Sequence, residues 1–280
     1  MEITILDGPM GTALISRGHS APAPMWSAAA LMTAPGAVSD LHREYAAAGA
    51  NVLTTNTFRT RPTDVGPTWA TLAAQAVDLA RTGRESHARC RVAGSIAPHA
   101  DCYRPELASA DAGPVHAALA TVLARAGVDL LLVETFPHIP EALAALEGAL
   151  QTGIETWLSF TAGPNGDLLS PDDVHRGAEA AARMGASAVL VNCIPAADIS
   201  RFLPALQGLS VPFGVYANAG SPEEGIGWTD PTDGPRRYAD LAEVWVDAGA
   251  TIIGSCCGTG PRHTAELSRR FSSFSGRTAS

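Results

Sequence analysis

Three cysteines in the sequence follow short apolar segments and could together bind a metal ion. Cys193 follows Ala188–Val191 closely, and the adjacent pair Cys256 and Cys257 follows Thr251–Gly254. Three thiolates with an open fourth position are typical of a catalytic zinc site, because a structural zinc site is closed by four protein ligands. Soft sulfur donors also favour zinc over magnesium or calcium. The alternative is that these cysteines are small buried apolar residues, a common state of free cysteine.

A zinc ion held by three thiolates would activate a thiol that binds at the open position. Zinc deprotonates a coordinated thiol, and the thiolate is the nucleophilic form. The negative charge of such a site makes the metal a weak Lewis acid, so the bound sulfur keeps much of its nucleophilicity. This donor set therefore predicts alkylation of sulfur rather than activation of water.

Two acidic residues also lie where apolar segments end. Asp7 follows Ile3–Leu6, and Glu134 is the last residue of Asp129–Glu134. A carboxylate among apolar residues is costly unless it is paired, protonated or bound to a metal. Both are candidate functional residues, although Asp7 could instead cap the turn into Gly8.

Eight short apolar segments recur along the chain and predict buried β-strands. Most are nearly continuous in Val, Leu and Ile, as expected of strands that are covered on both faces. The segments are Ile3–Leu6, Asn51–Thr55, Val92–Ala97, Asp129–Glu134, Thr156–Phe160, Ala188–Val191, Phe213–Tyr216 and Thr251–Gly254.

Alanine-rich amphipathic segments between these strands predict helices. Several begin with proline in the first turn and several end at glycine, which is the usual pattern of helix starts and stops. They are Val38–Ala48, Leu72–Arg81, Val115–Ala126, Glu141–Leu150, Val174–Met184 and Tyr238–Ala248.

Eight alternating strand and helix units predict a single closed (β/α)8 TIM barrel of class α/β. The alternative is an open doubly wound sheet, but residues 7–12 lack the glycine spacing of its phosphate-binding loop. In a barrel, the carboxyl ends of all strands meet at one face, which would bring the three cysteines together. We expect residues 1–272 to form the barrel and residues 273–280 to be a flexible C-terminal tail.

The residues at the strand ends resemble the homocysteine S-methyltransferase family over nearly the whole chain. This family includes betaine- and S-methylmethionine-dependent enzymes and the homocysteine module of cobalamin-dependent methionine synthase. The most specific part of the resemblance is an Asn-Cys pair followed by Gly-Ser-Cys-Cys-Gly. The matching segments, in order, are DGPMGT at 7–12, TTNTF at 54–58, GSIAP at 94–98, ET at 134–135, VNC at 191–193 and GSCCG at 254–258.

The resemblance implies a role for each of these positions. Cys193, Cys256 and Cys257 would bind Zn²⁺, and Asp7 and Glu134, the candidate catalytic residues, would receive the ammonium group of homocysteine. The residues expected to bind substrate are Asp7, Gly8, Met10, Gly11, Thr12, Thr55, Asn56, Glu134 and Asn192.

General chemistry agrees with these roles. A zwitterionic amino acid needs anions for its ammonium group and N–H donors for its carboxylate. Because Pro9 has no N–H, those donors would come from Gly8 and from Met10 onward. Asn192 could orient the sulfur of Cys193, or it could be an ordinary turn residue at a strand end.

The expected function is zinc-dependent transfer of a methyl group from a small activated donor to the thiol of homocysteine, giving methionine. A sulfonium donor such as S-methylmethionine or S-adenosylmethionine is favoured. Trp26, Tyr216 and Trp228 are candidate cation–π partners for it, with ordinary packing as the alternative. Other possibilities are another thiol or selenol acceptor, betaine or a corrinoid protein as donor, or a non-catalytic zinc- or redox-sensing barrel. The loop at 98–107, including Cys102, matches no pattern of the family.

Composition excludes several other classes of function. The 280 residues are 46% hydrophobic and 17% charged, with 19 Lys and Arg against 28 Asp and Glu. This acidic balance, without a basic run, argues against a nucleic-acid surface. The apolar runs are too short to span a bilayer. Five cysteines and no apparent export signal lead us to expect a reducing cytoplasm, where metal binding is favoured over disulfides.

Overall fold

Eight parallel strands form a ring in the computed structural model, which describes residues 2–87, 89–109, 111–228 and 231–272. Each strand pairs with its neighbours in chain order, and β1 also pairs with β8. A bridge between Leu6 and Val52 joins β1 to β2 and closes the ring. The strands are β1 Thr4–Ile5, β2 Val52–Thr54, β3 Arg91–Ile96, β4 Leu130–Phe136, β5 Thr156–Phe160, β6 Ala188–Pro195, β7 Phe213–Asn218 and β8 Ile252–Ser255.

Helices connect consecutive strands, so the predicted (β/α)8 barrel is confirmed. The six predicted helices are present, and all of them begin before the predicted residue because the amphipathic pattern becomes visible only after the first turn. The helices are α1 Gly11–Ser16, α2 Ala29–Thr33, α3 Pro35–Ala47, α4 Pro62–Val65, α5 Trp69–Gly83, α6 Gly113–Ala126, α7 Ile139–Leu150, α8 Pro171–Met184, α9 Leu203–Leu206, α10 Gly234–Asp247 and α11 Pro261–Phe271.

Helix α8 shows how the local sequence sets these boundaries. The Ser170 hydroxyl accepts a hydrogen bond from the Asp173 N–H, and the Asp173 carboxylate accepts one from the Ser170 N–H. Pro171 occupies the first helical position, where no N–H is needed. Gly185 ends the helix with φ of 108°, a conformation in which a β-carbon would be strained.

The barrel has two apolar layers, one inside the ring and one between the strands and the helices. In β4, Leu130 and Leu132 face the interior, whereas Leu131 and Val133 pack against the helices. This alternation also points Glu134 into the interior at the carboxyl end of the strand. Among the described residues, no helix is long and apolar enough to cross a bilayer. The predicted tail, 273–280, lies outside the described residues.

Candidate active site

The carboxyl ends of the strands surround a cavity of about 710 Å³. The predicted site residues contribute to its wall with one exception, Asn192. The predicted residues that line it are Asp7, Gly8, Met10, Gly11, Thr12, Thr55, Asn56, Glu134, Cys193, Cys256 and Cys257.

Three cysteine sulfurs converge on one side of this cavity. Cys193 lies near the end of β6, and Cys256 and Cys257 directly follow β8. Their Sγ atoms all lie within 4.8 Å of one another, and Cys193 Sγ is 3.7 Å from Cys257 Sγ. All three are free thiols. The adjacent residues Cys256 and Cys257 are partly exposed, and both line the cavity. This group of soft donors is suited to binding a metal ion.

A local distortion of β6 brings Cys193 into the cavity. Val189 and Val191 face the helices, so regular alternation would turn Cys193 outward as well. Instead, the register of β6 against β7 shifts between Asn192 and Pro195, and Cys193 adopts a left-handed φ of 53°. Such a conformation costs about 1–3 kcal/mol for a residue other than glycine and is common at functional sites.

Strand β4 carries a matching distortion next to Glu134. Its register against β5 shifts between Val133 and Phe136, and Thr135 has φ of 65°. Regular alternation already points Glu134 inward, and with the distortion that follows it Thr135 lines the cavity as well. The two distorted residues lie on strands that are separated only by β5.

The side chain of Asn192 connects these two distortions from below the cavity. Its Oδ1 accepts hydrogen bonds from the Ser159 hydroxyl at 2.7 Å and the Thr135 N–H at 3.1 Å. Its Nδ2 donates to the Thr135 hydroxyl at 2.7 Å. Asn192 is fully buried and is not part of the cavity wall. The structure therefore places it beneath the site, where it holds the backbone that carries Glu134 and Cys193.

Glu134 lies in a buried position where ionisation is costly. Its Oε1 accepts a hydrogen bond from the Ser95 hydroxyl, and its Oε2 accepts one from the Tyr216 phenol at 3.0 Å. Burial raises the pKa of Glu134 to about 7, although both hydrogen bonds oppose this shift. No arginine pairs with Glu134 among the described residues.

Asp7 is a second buried carboxyl group in the same cavity. It accepts hydrogen bonds from the Thr54 N–H at 2.7 Å and the Thr54 hydroxyl at 2.9 Å. Burial raises the pKa of Asp7 to about 8, the bonds from Thr54 oppose the shift, and the charge of Glu134 adds to it. A cation that binds between the two carboxyl groups would stabilise their ionised forms.

The loop after β1 is packed tightly beside Asp7. The Tyr45 phenol donates a hydrogen bond to the Pro9 carbonyl at 2.9 Å, and a β-carbon at Gly8 would lie only 2.8 Å from the Tyr45 ring. The Thr12 hydroxyl accepts a hydrogen bond from the Gly258 N–H at 3.2 Å. The first loop and the Cys256–Cys257 loop therefore support each other.

Asn56 and Thr55 complete this side of the wall. Asn56 donates through Nδ2 to the Ser27 carbonyl at 2.9 Å, but its buried Oδ1 has no partner within the described part of the chain. The Thr55 hydroxyl accepts a hydrogen bond from the Ser95 N–H at 3.1 Å and contacts the Thr57 hydroxyl at 2.8 Å. Asn56 is thus held by the Ser27 carbonyl, and its Oδ1 is buried rather than exposed to the cavity.

Several residues that the sequence did not assign also line the cavity. The phenol oxygen of Tyr103 lies 3.0 Å from Cys193 Sγ, and Cys102, next to it, is buried. Both belong to the irregular loop after β3, where no periodicity indicates which side chains face inward. Trp26, Tyr216 and Trp228, which the sequence analysis named as candidate cation–π partners for the methyl donor, also line the cavity.

Comparison with known proteins identifies the family. The sequence model described as Homocysteine S-methyltransferase matches residues 4–271, nearly the full chain. The chain belongs to the homocysteine S-methyltransferase family. This family member is 32% identical over 298 residues to the Homocysteine S-methyltransferase of Escherichia coli K12, with 96% of this chain and 95% of that protein covered.

A mammalian relative and a solved bacterial structure also match the chain over most of its length. The S-methylmethionine–homocysteine S-methyltransferase BHMT2 of Rattus norvegicus is 29% identical over 290 residues, covering 94% of this chain and 76% of that protein. The metallated form of the Homocysteine Methyltransferase MmuM from Escherichia coli is 28% identical, with a TM-score of 0.81 and 96% of both chains covered. In the present chain, the cluster of Cys193, Cys256 and Cys257 is likewise consistent with a bound metal.

Proposed function

We propose that this chain is a zinc-dependent enzyme that transfers a methyl group from a small sulfonium donor to the thiol of homocysteine. One observation carries the proposal: three cysteine sulfurs and two buried carboxyl groups line a single cavity. The three sulfurs could bind a metal that coordinates the thiol of homocysteine. The two carboxyl groups could bind the ammonium group of the same homocysteine molecule.

One sulfur–sulfur distance is compatible with zinc as the metal. Tetrahedral zinc with Zn–S bonds of ~2.3 Å has neighbouring sulfurs about 3.8 Å apart, and Cys193 Sγ lies 3.7 Å from Cys257 Sγ. Cys193, Cys256 and Cys257 would hold the ion and leave a fourth position toward the cavity. Zinc bound there would lower the pKa of an incoming thiol, so that the thiol reacts as a thiolate at neutral pH.

Asp7 and Glu134 would orient homocysteine through its ammonium group. Both carboxyl groups are buried, and neither has a cationic partner among the described residues. An ammonium group would stabilise both carboxylates, and their protons would be released as it binds.

The aromatic wall of the cavity favours a cationic methyl donor. Trp26, Tyr216 and Trp228 line the cavity, and aromatic faces attract cations that have left water. The homocysteine thiolate would attack the methyl carbon while the bond from that carbon to the donor sulfur breaks. The donor leaves as a neutral thioether, so with S-methylmethionine both products are methionine. No covalent intermediate with the enzyme is required. Holding the two substrates in a reactive orientation would accelerate the transfer relative to the reaction in solution.

A methyl-transfer assay tests this proposal directly. The zinc-loaded protein is incubated with homocysteine and S-methylmethionine, S-adenosylmethionine or betaine, and methionine is measured by mass spectrometry. We expect fastest transfer from a sulfonium donor and loss of transfer in Cys257→Ser. The matched control is Cys90→Ser, since Cys90 is buried outside the cavity wall and should not affect transfer. Zinc binding without transfer from any donor would contradict the proposal and favour a sensor.

A further inference from the structure

The mouth of the cavity carries two opposite charges that the proposed chemistry has not used. Arg59 follows Phe58 in the loop after β2, and Asp101 lies in the loop after β3. Both line the cavity. Neither takes part in an ion pair within the residues that the structure describes, so their charges are available to a ligand.

Two contacts hold Arg59 in place without neutralising it. Its Cζ lies 5.5 Å from the centroid of the Phe58 ring, and its Nη1 donates a hydrogen bond of 3.3 Å to the carbonyl of Ala100. That carbonyl immediately precedes Asp101, so the guanidinium and the carboxylate share one rim of the cavity. The side chain is only partly exposed, which strengthens its interaction with an anion relative to a fully solvated arginine.

Arg61, two residues away, shows what a structural arginine looks like in the same loop. Its Nε pairs with Asp64 at 2.5 Å, both side chains are buried, and its Nη1 donates to the carbonyls of Pro98 and Ala100. All of its contacts are made within the protein, and it is not part of the cavity wall. Arg59 has no acidic partner among the described residues and does line the cavity, which suits a ligand-binding function better than a purely supporting one.

Asp101 is arranged so that part of its carboxylate remains free. Its Oδ1 accepts a hydrogen bond from the Tyr103 N–H at 2.8 Å, which fixes the turn, while the residue as a whole is exposed. A ligand that carries a carboxylate and an ammonium group on one carbon presents opposite charges a few ångströms apart. Arg59 and Asp101 offer the two complementary charges at one rim of the cavity.

We propose that Arg59 binds the α-carboxylate of an amino-acid sulfonium donor and that Asp101 binds its α-ammonium group. This inference rests on the proposed methyl transfer and assigns the residues that recognise the donor. The sulfonium end would then extend past the aromatic wall toward the cysteine cluster. Betaine, which has a carboxylate but no ammonium hydrogens, would use only half of this recognition.

Donors that lack one charge at a time test the assignment. S-methylmethionine has both charges, dimethylsulfoniopropionate has the carboxylate alone, and trimethylsulfonium has neither. We expect Arg59→Gln to lower kcat/KM by ~10- to 100-fold for the first two donors, the loss of one charge-assisted contact, and to leave trimethylsulfonium within about twofold. Asp101→Asn should lower kcat/KM for S-methylmethionine alone, by ~3- to 10-fold, because the carboxylate is exposed.

The control variant is Arg104→Gln, since Arg104 lies in the same loop as Asp101, pairs with Glu106 and is outside the cavity wall. It should leave all three donors unchanged. An equal loss for all donors in Arg59→Gln would show that Arg59 only supports the loop, and unchanged kcat/KM for S-methylmethionine would also overturn the assignment. Failure of the wild-type protein with every donor would instead refute the proposed function, and the assignment with it.

Discussion

Replacement of Asn192 by alanine should damage both the stability of the barrel and its affinity for metal. The change removes three hydrogen bonds, two to Thr135 and one to Ser159. Thr135 and Ser159 are both buried, so water cannot replace the lost partner. With a cost of ~1–3 kcal/mol for each buried group left without a partner, we expect a loss of about 3–5 kcal/mol. For a chain of this size that corresponds to a fall in Tm of roughly 10 °C.

The effect on the metal site follows from the backbone. Thr135 and Cys193 are both held in left-handed conformations, with φ of 65° and 53°. Without the Asn192 side chain, we expect the two distortions to relax and the direction of Cys193 Sγ to become less fixed. Loss of such a supporting contact typically weakens metal binding 10- to 100-fold. Competition with a chromophoric chelator would measure the zinc affinity, and thermal unfolding of the metal-free protein would measure the stability.

A matched variant separates the two effects. Ser159→Ala removes only one of the three bonds and leaves both contacts to Thr135, so it should cost about 1 kcal/mol and leave zinc affinity unchanged. If Asn192→Ala unfolds at the wild-type temperature, or binds zinc as tightly as Ser159→Ala does, then Asn192 does not hold the distorted strands and the reasoning is wrong.

Two further predictions concern the cavity itself. The pKa of Asp7 is raised to about 8 in the folded protein, above its ordinary value of 3.8. The folded state therefore holds this proton more tightly than the unfolded state, so its contribution to the free energy of unfolding is complete below pH 3.8 and is lost as the pH rises toward 8. Asp7→Asn should therefore flatten the decline in the free energy of unfolding between pH 5 and 8, measured by urea titration without homocysteine; an unchanged slope would show that Asp7 ionises normally. Tyr103→Phe removes the hydroxyl 3.0 Å from Cys193 Sγ and should weaken zinc binding by ~3- to 10-fold with almost no change in Tm. Equal zinc affinity in the two proteins would show that this contact does not stabilise the thiolate.

The architecture could be predicted from the sequence because its signals are local. Continuous apolar segments specify strands covered on both faces, and proline and glycine mark where helices begin and end. In the connection between β6 and β7 the sequence predicted no helix. This connection contains only the 3-10 helix Ala196–Arg201 and the single turn α9, which are too short for a periodic pattern to develop.

The position of the cysteines at strand ends was also visible in the sequence, because the carboxyl ends of barrel strands share one face. The same rule places Asp7 and Glu134 beside the cavity. It does not specify which way each side chain points, and strict alternation along β6 would turn Cys193 away from the other two sulfurs.

Only the tertiary structure decided that direction. The left-handed conformation of Cys193 is inherently unfavourable. The matching one at Thr135 is held by two hydrogen bonds with Asn192, one accepted and one donated by the amide, although Asn192 lies 57 positions further along the chain. The irregular loops that contribute Arg59 and Tyr103 likewise take their orientation from contacts with Ala100 and Cys193 on other segments. The sequence by itself determined the barrel and the residues available at its mouth, because those follow from local periodicity and topology. The folded chain decided which side chains face the cavity, because that depends on bonds between residues far apart in the sequence.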